Sequence, residues 1–440
     1  IRFRDGFAEK IGGWQAETFD RYVGEATKLF VYSIDTGAEV AGLATTKKIY
    51  IRAGTRLYDI TPIRATFVST ATDNCFTTNT TAGTEGQVLV TITGHGATTG
   101  DFVTFSGAAT TNGITAAQLN LNFEVTVING DTFTIETAGT ATSAGTGGGT
   151  GITAAFEINI GANSSIAGYG FGAGTWSRGT WGGASVLPAI IDVRLIFMDN
   201  FNNDLIFNLN NEGQIFYWVY DNTFSNRAVL LSSIAGAIAV PEKTEKTLFA
   251  SSGHLLCLGA SEYSETSIAG VSISGIVSVG TIATVTTASP HGLAVNDWVY
   301  LFGQTPTAYS GTYQITSVPS ATTYTYTLLT SLGSVTAVGA YQTINYSAGS
   351  FDPMLIRWAD VNADIGPKPE VWKPELANSA GFLFVKEGSR IITGANVRQE
   401  TLIWTDTSLS TLQFLGTAEV FGLQLLSNDT NIMGPNAYAS

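Results

Sequence analysis

Almost no stretch of the chain repeats its apolar residues with the 3.6-residue period of a helix. Short runs of β-branched and aromatic residues recur instead as far as the C-terminus, punctuated by Gly, Asn and Asp, which is the pattern of strands joined by tight turns. The clearest unit lies between Thr27 and Ile60. Its apolar runs at 29–32, 39–44, 48–51 and 56–60 are separated by Asp35-Thr36-Gly37, Thr45-Thr46 and Ala53-Gly54, so four short strands form one antiparallel meander.

Similar hairpins are predicted further on. Residues 204–207 turn through Asn210-Asn211-Glu212-Gly213 into 214–218, residues 382–385 turn through Lys386-Glu387-Gly388-Ser389 into 390–392, and 402–404 pair with 411–414. A small meander cannot bury both of its faces alone and must stack on neighbours. The pattern therefore predicts an all-β protein with a β-propeller-like main body, a stacked sandwich being the competing architecture.

The sharpest internal signal is a duplication. His95-Gly96-Ala97-Thr98-Thr99-Gly100-Asp101-Phe102-Val103-Thr104-Phe105 aligns without gaps on His291-Gly292-Leu293-Ala294-Val295-Asn296-Asp297-Trp298-Val299-Tyr300-Leu301. Alternating strands flank both copies, at 88–92, 123–127 and 132–135 for the first and at 282–286, 313–316 and 323–326 for the second. Each copy predicts about five strands, which makes a small β-barrel or sandwich module inserted in the main body. The boundaries are 66–160 and 268–348 for the two modules, leaving 1–65, 161–267 and 349–440 for the propeller. The run Gly145-Thr146-Gly147-Gly148-Gly149-Thr150-Gly151 reads as a flexible junction. At roughly 40–50 residues per blade, the main body holds about five or six blades.

Composition supports this picture. Charged residues make up 13% of the chain, against about 25% in ordinary globular domains, while aromatics reach 11% and Gly numbers 49. The surface is one of hydroxyls and amides, which fits a durable β-assembly better than a helical enzyme, and the apolar content argues against disorder. A net charge of −14 argues against a basic face that grips nucleic acid, although an acidic wall suits a conduit past which DNA must slide. Cys75 falls in the first module and Cys257 in the main body, with no zinc or redox spacing, so two free, mostly buried thiols are expected. No apolar run is long enough to span a membrane. The chain opens on Ile1 and ends without a closing strand, so the natural protein is expected to continue beyond both ends.

Candidate chemistry is sparse. His95 and His291 each stand six residues before an aspartate, Asp101 or Asp297, and the duplicated position points to a structural job in a turn rather than to a ligand or acid/base pair. His254 has no evident partner and reads as a strand-edge histidine. Asp352, Asp360, Asp364, Glu370 and Glu375 fail the spacing of a calcium loop and read as a solvated connection between blades. The glycine-rich run from Gly168 to Gly174 lacks the Lys-Ser/Thr and the helix of a phosphate loop. No Gly-x-Ser-x-Gly elbow is present, three histidines offer few general bases, and a carboxylate pair for glycoside hydrolysis would meet only in the fold. The expectation is that the chain is not an enzyme. No catalytic, cofactor-binding or metal-ligating residue is assigned, and no cofactor is expected.

Several stretches carry a resemblance. The opening Arg2-Phe3-Arg4-Asp5-Gly6-Phe7-Ala8-Glu9-Lys10-Ile11-Gly12-Gly13-Trp14, residues 54–63, residues 169–182, Ile356-Arg357-Trp358-Ala359-Asp360 with Trp372 downstream, and residues 402–409 together resemble the tail tube nozzle or hub proteins of short-tailed phages, the tail tubular protein B-like or stabilisation protein-like family. The matching stretches run in order through most of the main body, and the two modules look like decoration domains. The resemblance implies a propeller-bearing virion protein. It would sit as a ring of six below the portal and adaptor, with a channel that passes genomic DNA without reading its sequence and an outer surface where fibres or spikes dock. The alternative is a host-surface glycan-binding tail spike or depolymerase, and a secreted propeller or adhesin comes third.

Overall fold

The computed structural model describes residues 2–4, 7–9, 20–161 and 195–438, except 82, 210–212, 235, 250–252, 362–368, 370, 376–377, 399, 418 and 433. Among the described residues nearly every element is an antiparallel strand, and the one α-helical turn is Ala116–Leu119. The glycine-rich run at 168–174 and the resemblance at 169–182 lie outside the described residues. The chain divides into two compact units, one of Ile1–Leu205 with Tyr217–Val229 and one of Ile206–Phe216 with Leu230–Ser440.

In the first unit, the predicted meander forms from Ala26–Ser33, Glu39–Thr45, Ile49–Ala53 and Arg56–Asp59, paired in chain order. Its second strand is buried on both faces because another strand pair packs over it. Gly42 leaves room for that approach: a Cβ there would come within 3.1 Å of Leu205 and of Met198. Leu205 and Met198 belong to the second meander, whose strands Ile196–Phe201, Asp204–Leu209, Ile215–Trp218 and Val229–Leu230 also follow chain order. A reciprocal pair locks the turns of the two meanders, with Asn203 Oδ1 accepting from the Asp35 amide at 2.8 Å and Asn203 Nδ2 donating to Asp35 at 2.8 Å.

The first module enters on Ile63–Val68 and leaves on Thr153–Glu157, and these two strands pair with each other. One sheet runs Asn122–Glu124, Phe102–Ser106, Thr153–Glu157, Ile63–Val68. The other runs Thr126–Asn129, Thr132–Glu136, Gln87–Thr91, Phe76–Thr78, Gly145–Gly147. They share a core in which Phe76, Phe105, Phe133 and Phe156 are fully buried. The module is therefore a sandwich. The glycine-rich run is not the flexible junction expected of it, because Gly145–Gly147 is a strand and Gly148 lies so close to Phe76 that a Cβ would meet the ring at 2.7 Å. Glycine here allows close packing against an aromatic ring.

In the second unit, Thr244–Phe249, the start of Leu255–Ala269, the end of Ala337–Trp358 and Gly381–Phe384 make a third meander. Ile391–Asn396, Glu400–Thr405, Leu409–Phe414 and Phe421–Ser427 make a fourth. Leu258, Ile356 and Trp358 from the third interleave with Ile391, Ile403, Leu412 and Phe421 from the fourth in one core. The hairpin predicted across Lys386–Ser389 does not form. Its first strand pairs backward, Arg357 with Phe382, and closes the third meander, while Ile391 opens the fourth against Thr405. The linking segment is tied down by Asp406, which accepts from the Ser389 amide at 2.8 Å and the Ser389 hydroxyl at 2.6 Å.

The second module is mounted differently from the first. Leu255–Ala269 and Ala337–Trp358 form one ladder from Leu256 opposite Trp358 to Ala269 opposite Gln342, and the module is built beyond its far end. Burial switches from continuous to mostly exposed at Glu262, where this ribbon leaves the meander core. Ile273–Val279, Ile282–Thr287, Trp298–Thr305, Gly311–Ser320 and Thr323–Thr327 then wrap a second core around Tyr309, Tyr324 and Tyr326. Four four-stranded meanders are present among the described residues, against the five or six blades expected from length.

Candidate functional sites at the module junctions

The duplicated turn keeps its hydrogen bonds. His95 Nδ1 accepts from the Ala97 amide and His291 Nδ1 from the Leu293 amide, both at 3.0 Å. Asp101 accepts from the Thr98 amide and Asp297 from the Ala294 amide, both at 2.8 Å. The residue before each aspartate, Gly100 or Asn296, is left-handed at φ +97° or +75°. Each imidazole also stands edge-on to a strand aromatic, His95 to Phe133 and His291 to Tyr324. The histidines thus do the turn-holding work expected of them. In the first copy the remaining nitrogen, Nε2, bonds the Asn129 carbonyl at 3.1 Å, whereas in the second, His291 Nε2 is buried without a partner among the described residues.

Where the first module leaves the first meander, four charges converge that the sequence does not bring together. Lys48, 3% exposed, donates to Asp59 at 2.7 Å and to both oxygens of Glu157, itself 1% exposed, at 2.8 and 3.0 Å. Arg227 bonds Asp59 at 2.7 Å and lies 3.2 Å from Glu157, and Asn122 donates to Glu157 at 2.9 Å. Burial, with Asp59 alongside, pushes the Glu157 carboxyl above its ordinary range against the pull of Lys48 and Arg227. Asp59 and Glu157 meet as a carboxylate pair, but both are occupied by cations. They clamp the module rather than face a ligand.

In the second unit, Arg357 is buried in the third meander. Its guanidinium donates to the carbonyls of Ser261, Ala239 and Trp372 at 2.9, 2.6 and 3.0 Å, and burial lowers its pKa to about 10. Trp372 is itself fully buried and donates to the Pro369 carbonyl at 2.8 Å. The arginine and tryptophan of the resemblance therefore meet. His254, for which no partner was expected, lies 3.1 Å from the Ser379 hydroxyl, and Asp360 accepts from that hydroxyl at 2.6 Å. The serine, not the histidine, holds the aspartate, so the three form a clip and not a charge relay. The acidic stretch separates accordingly. Asp352 lies within a strand and accepts from the Met354 amide, Asp360 anchors Ser379, Glu375 pairs with Lys373, and Asp364 and Glu370 lie outside the described residues.

Both thiols are free and buried, as expected. Burial pushes Cys75 and Cys257 up to about 12 from 9.0. A thiol-specific reagent at pH 8 is expected to label neither cysteine in the folded chain and both after unfolding, and fast labelling of the native protein would contradict the buried positions. Because the folded values are raised, this contribution to stability is complete below the unfolded thiol range and is lost as pH rises through about 12.

A cleft opens at the same place in each copy of the repeat. In the first module it measures 200 Å³ and is lined by Gly100, Asp101, Phe102 and Asn159. In the second it measures 490 Å³, and Asn296, Asp297 and Trp298 stand at the equivalent positions, facing Tyr263, Asn345 and Tyr346 of the ribbon. The sequence aligns the three repeat positions but does not reveal the cleft. Its other wall comes from residues far away in the chain.

A scan against protein families finds no match, and a search of curated proteins finds none. Among solved structures the chain is matched to the phage phi92 endosialidase at 11% sequence identity and a TM-score of 0.18, over 94% of this chain and 79% of that one. A likeness at that level carries no argument about fold, residues or substrate. One expectation is corrected nonetheless: the matched protein is by its name an enzyme, so the statement that this chain is not an enzyme is withdrawn.

Proposed function

We propose that the chain is a structural subunit of a short phage tail, of the nozzle or hub type, which closes into a ring with its own copies in the virion. The observation that supports this most is apolar surface on sheet edges. Leu29 and Val31, 62% and 52% exposed, share one face of the first meander's edge strand, and Phe382 and Phe384, 50% and 43% exposed, lie on the edge strand of the third. An exposed apolar edge strand is an aggregation hazard in a monomer, and a sister subunit that covers it removes the hazard. By the sequence resemblance the ring has six copies, the portal-side adaptor lies above it, fibres or spikes dock outside, and DNA passes through. A net charge of −14 suits a wall that must not hold a polyanion. Sedimentation of the purified chain is expected to give a closed ring, and Leu29→Lys with Val31→Lys to give the monomer. A monomeric wild-type chain, together with immunogold that labels no tail, would overturn the reading.

A further inference from the structure

We propose that the 490 Å³ cleft at the base of the second module binds a neutral oligosaccharide. This inference does not rest on the tail reading. The volume falls within the roughly 300–1,000 Å³ usual for small-molecule sites. Its walls carry three aromatic side chains, Tyr263, Trp298 and Tyr346, beside the carboxamides of Asn296 and Asn345. Aromatic faces take the C–H faces of pyranose rings, and a carboxamide offers a donor and an acceptor to neighbouring hydroxyls.

The rings are held before any ligand arrives. Trp298 Nε1 donates to the Ala237 carbonyl at 3.3 Å, the Arg357 guanidinium lies 5.2 Å from the Tyr263 ring, and Lys373 Nζ lies 5.6 Å from that of Tyr346. Gln314 stitches the same wall, accepting from the Gly236 amide at 2.9 Å and donating to the Asn296 carbonyl at 3.2 Å. Rings fixed in this way lose little freedom on binding.

The lining also selects by charge. Among the described residues it contains the carboxylates of Glu242 and Asp297 and neither lysine nor arginine, and the cations beside the tyrosines, Arg357 and Lys373, are engaged by backbone carbonyls and by Glu265 and Glu375, so an acidic sugar, a phosphate or a nucleic acid would meet acceptors of its own sign.

The first module acts as an internal control. At the position of Trp298 it has Phe102, buried, with Lys48 Nζ 4.5 Å from the ring centre. At the position of Asp297 it has Asp101, which accepts from the Thr98 amide, the Thr98 hydroxyl at 3.1 Å and Asn159 Nδ2 at 2.6 Å. The fold is thus satisfied with this corner narrowed to 200 Å³. The second copy keeps the turn and widens the corner to 490 Å³, with a half-buried indole beside the ribbon's tyrosines.

The test is an array of neutral, amino and sialylated oligosaccharides probed with the full chain, followed by calorimetric titration with maltotriose and N,N′-diacetylchitobiose. Neutral or amino glycans are expected to bind and sialylated ones to be left behind. Trp298→Ala is expected to weaken binding by about tenfold or more, the scale of one lost aromatic contact. Trp298→Phe, which copies the first module, keeps the fold and reports the loss if the alanine variant unfolds. Capture of acidic glycans alone, no glycan bound, capture of peptide instead, or wild-type affinity in both Trp298 variants would each overturn the proposal. Ring formation, which tests the tail reading, is expected to be the same in wild type and Trp298→Phe, so failure of one proposal leaves the other standing.

Discussion

Replacing Glu157 by alanine is expected to destabilise the first unit by about 3–5 kcal/mol, the cost usual for breaking a buried ion pair. The side chain is 1% exposed and accepts from Lys48 at 2.8 Å and from Asn122 at 2.9 Å, so truncation leaves buried donors facing a cavity. The charge itself contributes less than the acceptors do. Burial holds this carboxyl above its ordinary range, so its contribution to stability is present below about pH 4.3 and is lost as pH rises through the raised value. Glu157→Gln, which keeps an acceptor, should therefore recover much of what alanine loses. Lys48→Met with Glu157→Leu should recover more than the sum of the single losses allows, because an apolar pair replaces two desolvated charges. Urea unfolding of these variants and of Lys48→Met and Glu157→Leu alone, followed through the first module, measures the cycle. An alanine variant within about 1 kcal/mol of wild type would mean that the cluster is no clamp.

The sequence made the local pairings legible and left the distant ones hidden. Residues 27–60 form the predicted meander because each turn signal falls between short runs whose partners are adjacent in the chain. The repeat was legible for the same reason, its turn being held by bonds two or three residues long. The hairpin expected across Lys386–Ser389 failed because a better partner for Phe382 arrives from Arg357, on a strand that has first supported the whole second module. Adjacent strands compete with any strand the fold delivers, and the alternation alone does not name the winner. The charge clamp was invisible as a cluster, since Lys48, Asp59, Glu157 and Arg227 are scattered from position 48 to position 227 of the chain. A single acid ending the otherwise uncharged strand Thr153–Glu157 was the one available signal. The large cleft was hidden likewise: Trp298 in place of Phe102 marks one wall, and the ribbon tyrosines give no sign of facing it.

Arg357 carried a clearer signal, a cation between Ile356 and Trp358 in a buried strand, and replacing it should be as costly as losing the clamp. The guanidinium is bound to three backbone carbonyls and stacked near Tyr263 and Trp372 at 5.2 and 6.0 Å. Those carbonyls belong to Ser261 on the ribbon, Ala239 in the segment that walls the cleft, and Trp372 in the segment that returns the chain to the third meander. One side chain thus ties together three pieces of chain, two of which also share the parallel bridge of Ile238 with Val371. Arg357→Met fills the space but removes every donor, and at about 1–3 kcal/mol for each of three buried acceptors left bare it is expected to cost at least about 3 kcal/mol. Arg357→Lys keeps the charge yet cannot reach three carbonyls in one plane, so it should fall between wild type and methionine. Hydrogen exchange locates the effect. The Trp372 amide, bonded to the Ile238 carbonyl at 2.9 Å, should lose protection in Arg357→Met, while the Ile403 and Leu412 amides of the fourth meander keep more of theirs. Uniform loss across both meanders would assign the arginine to global stability, and unchanged protection at Trp372 would remove it from this role.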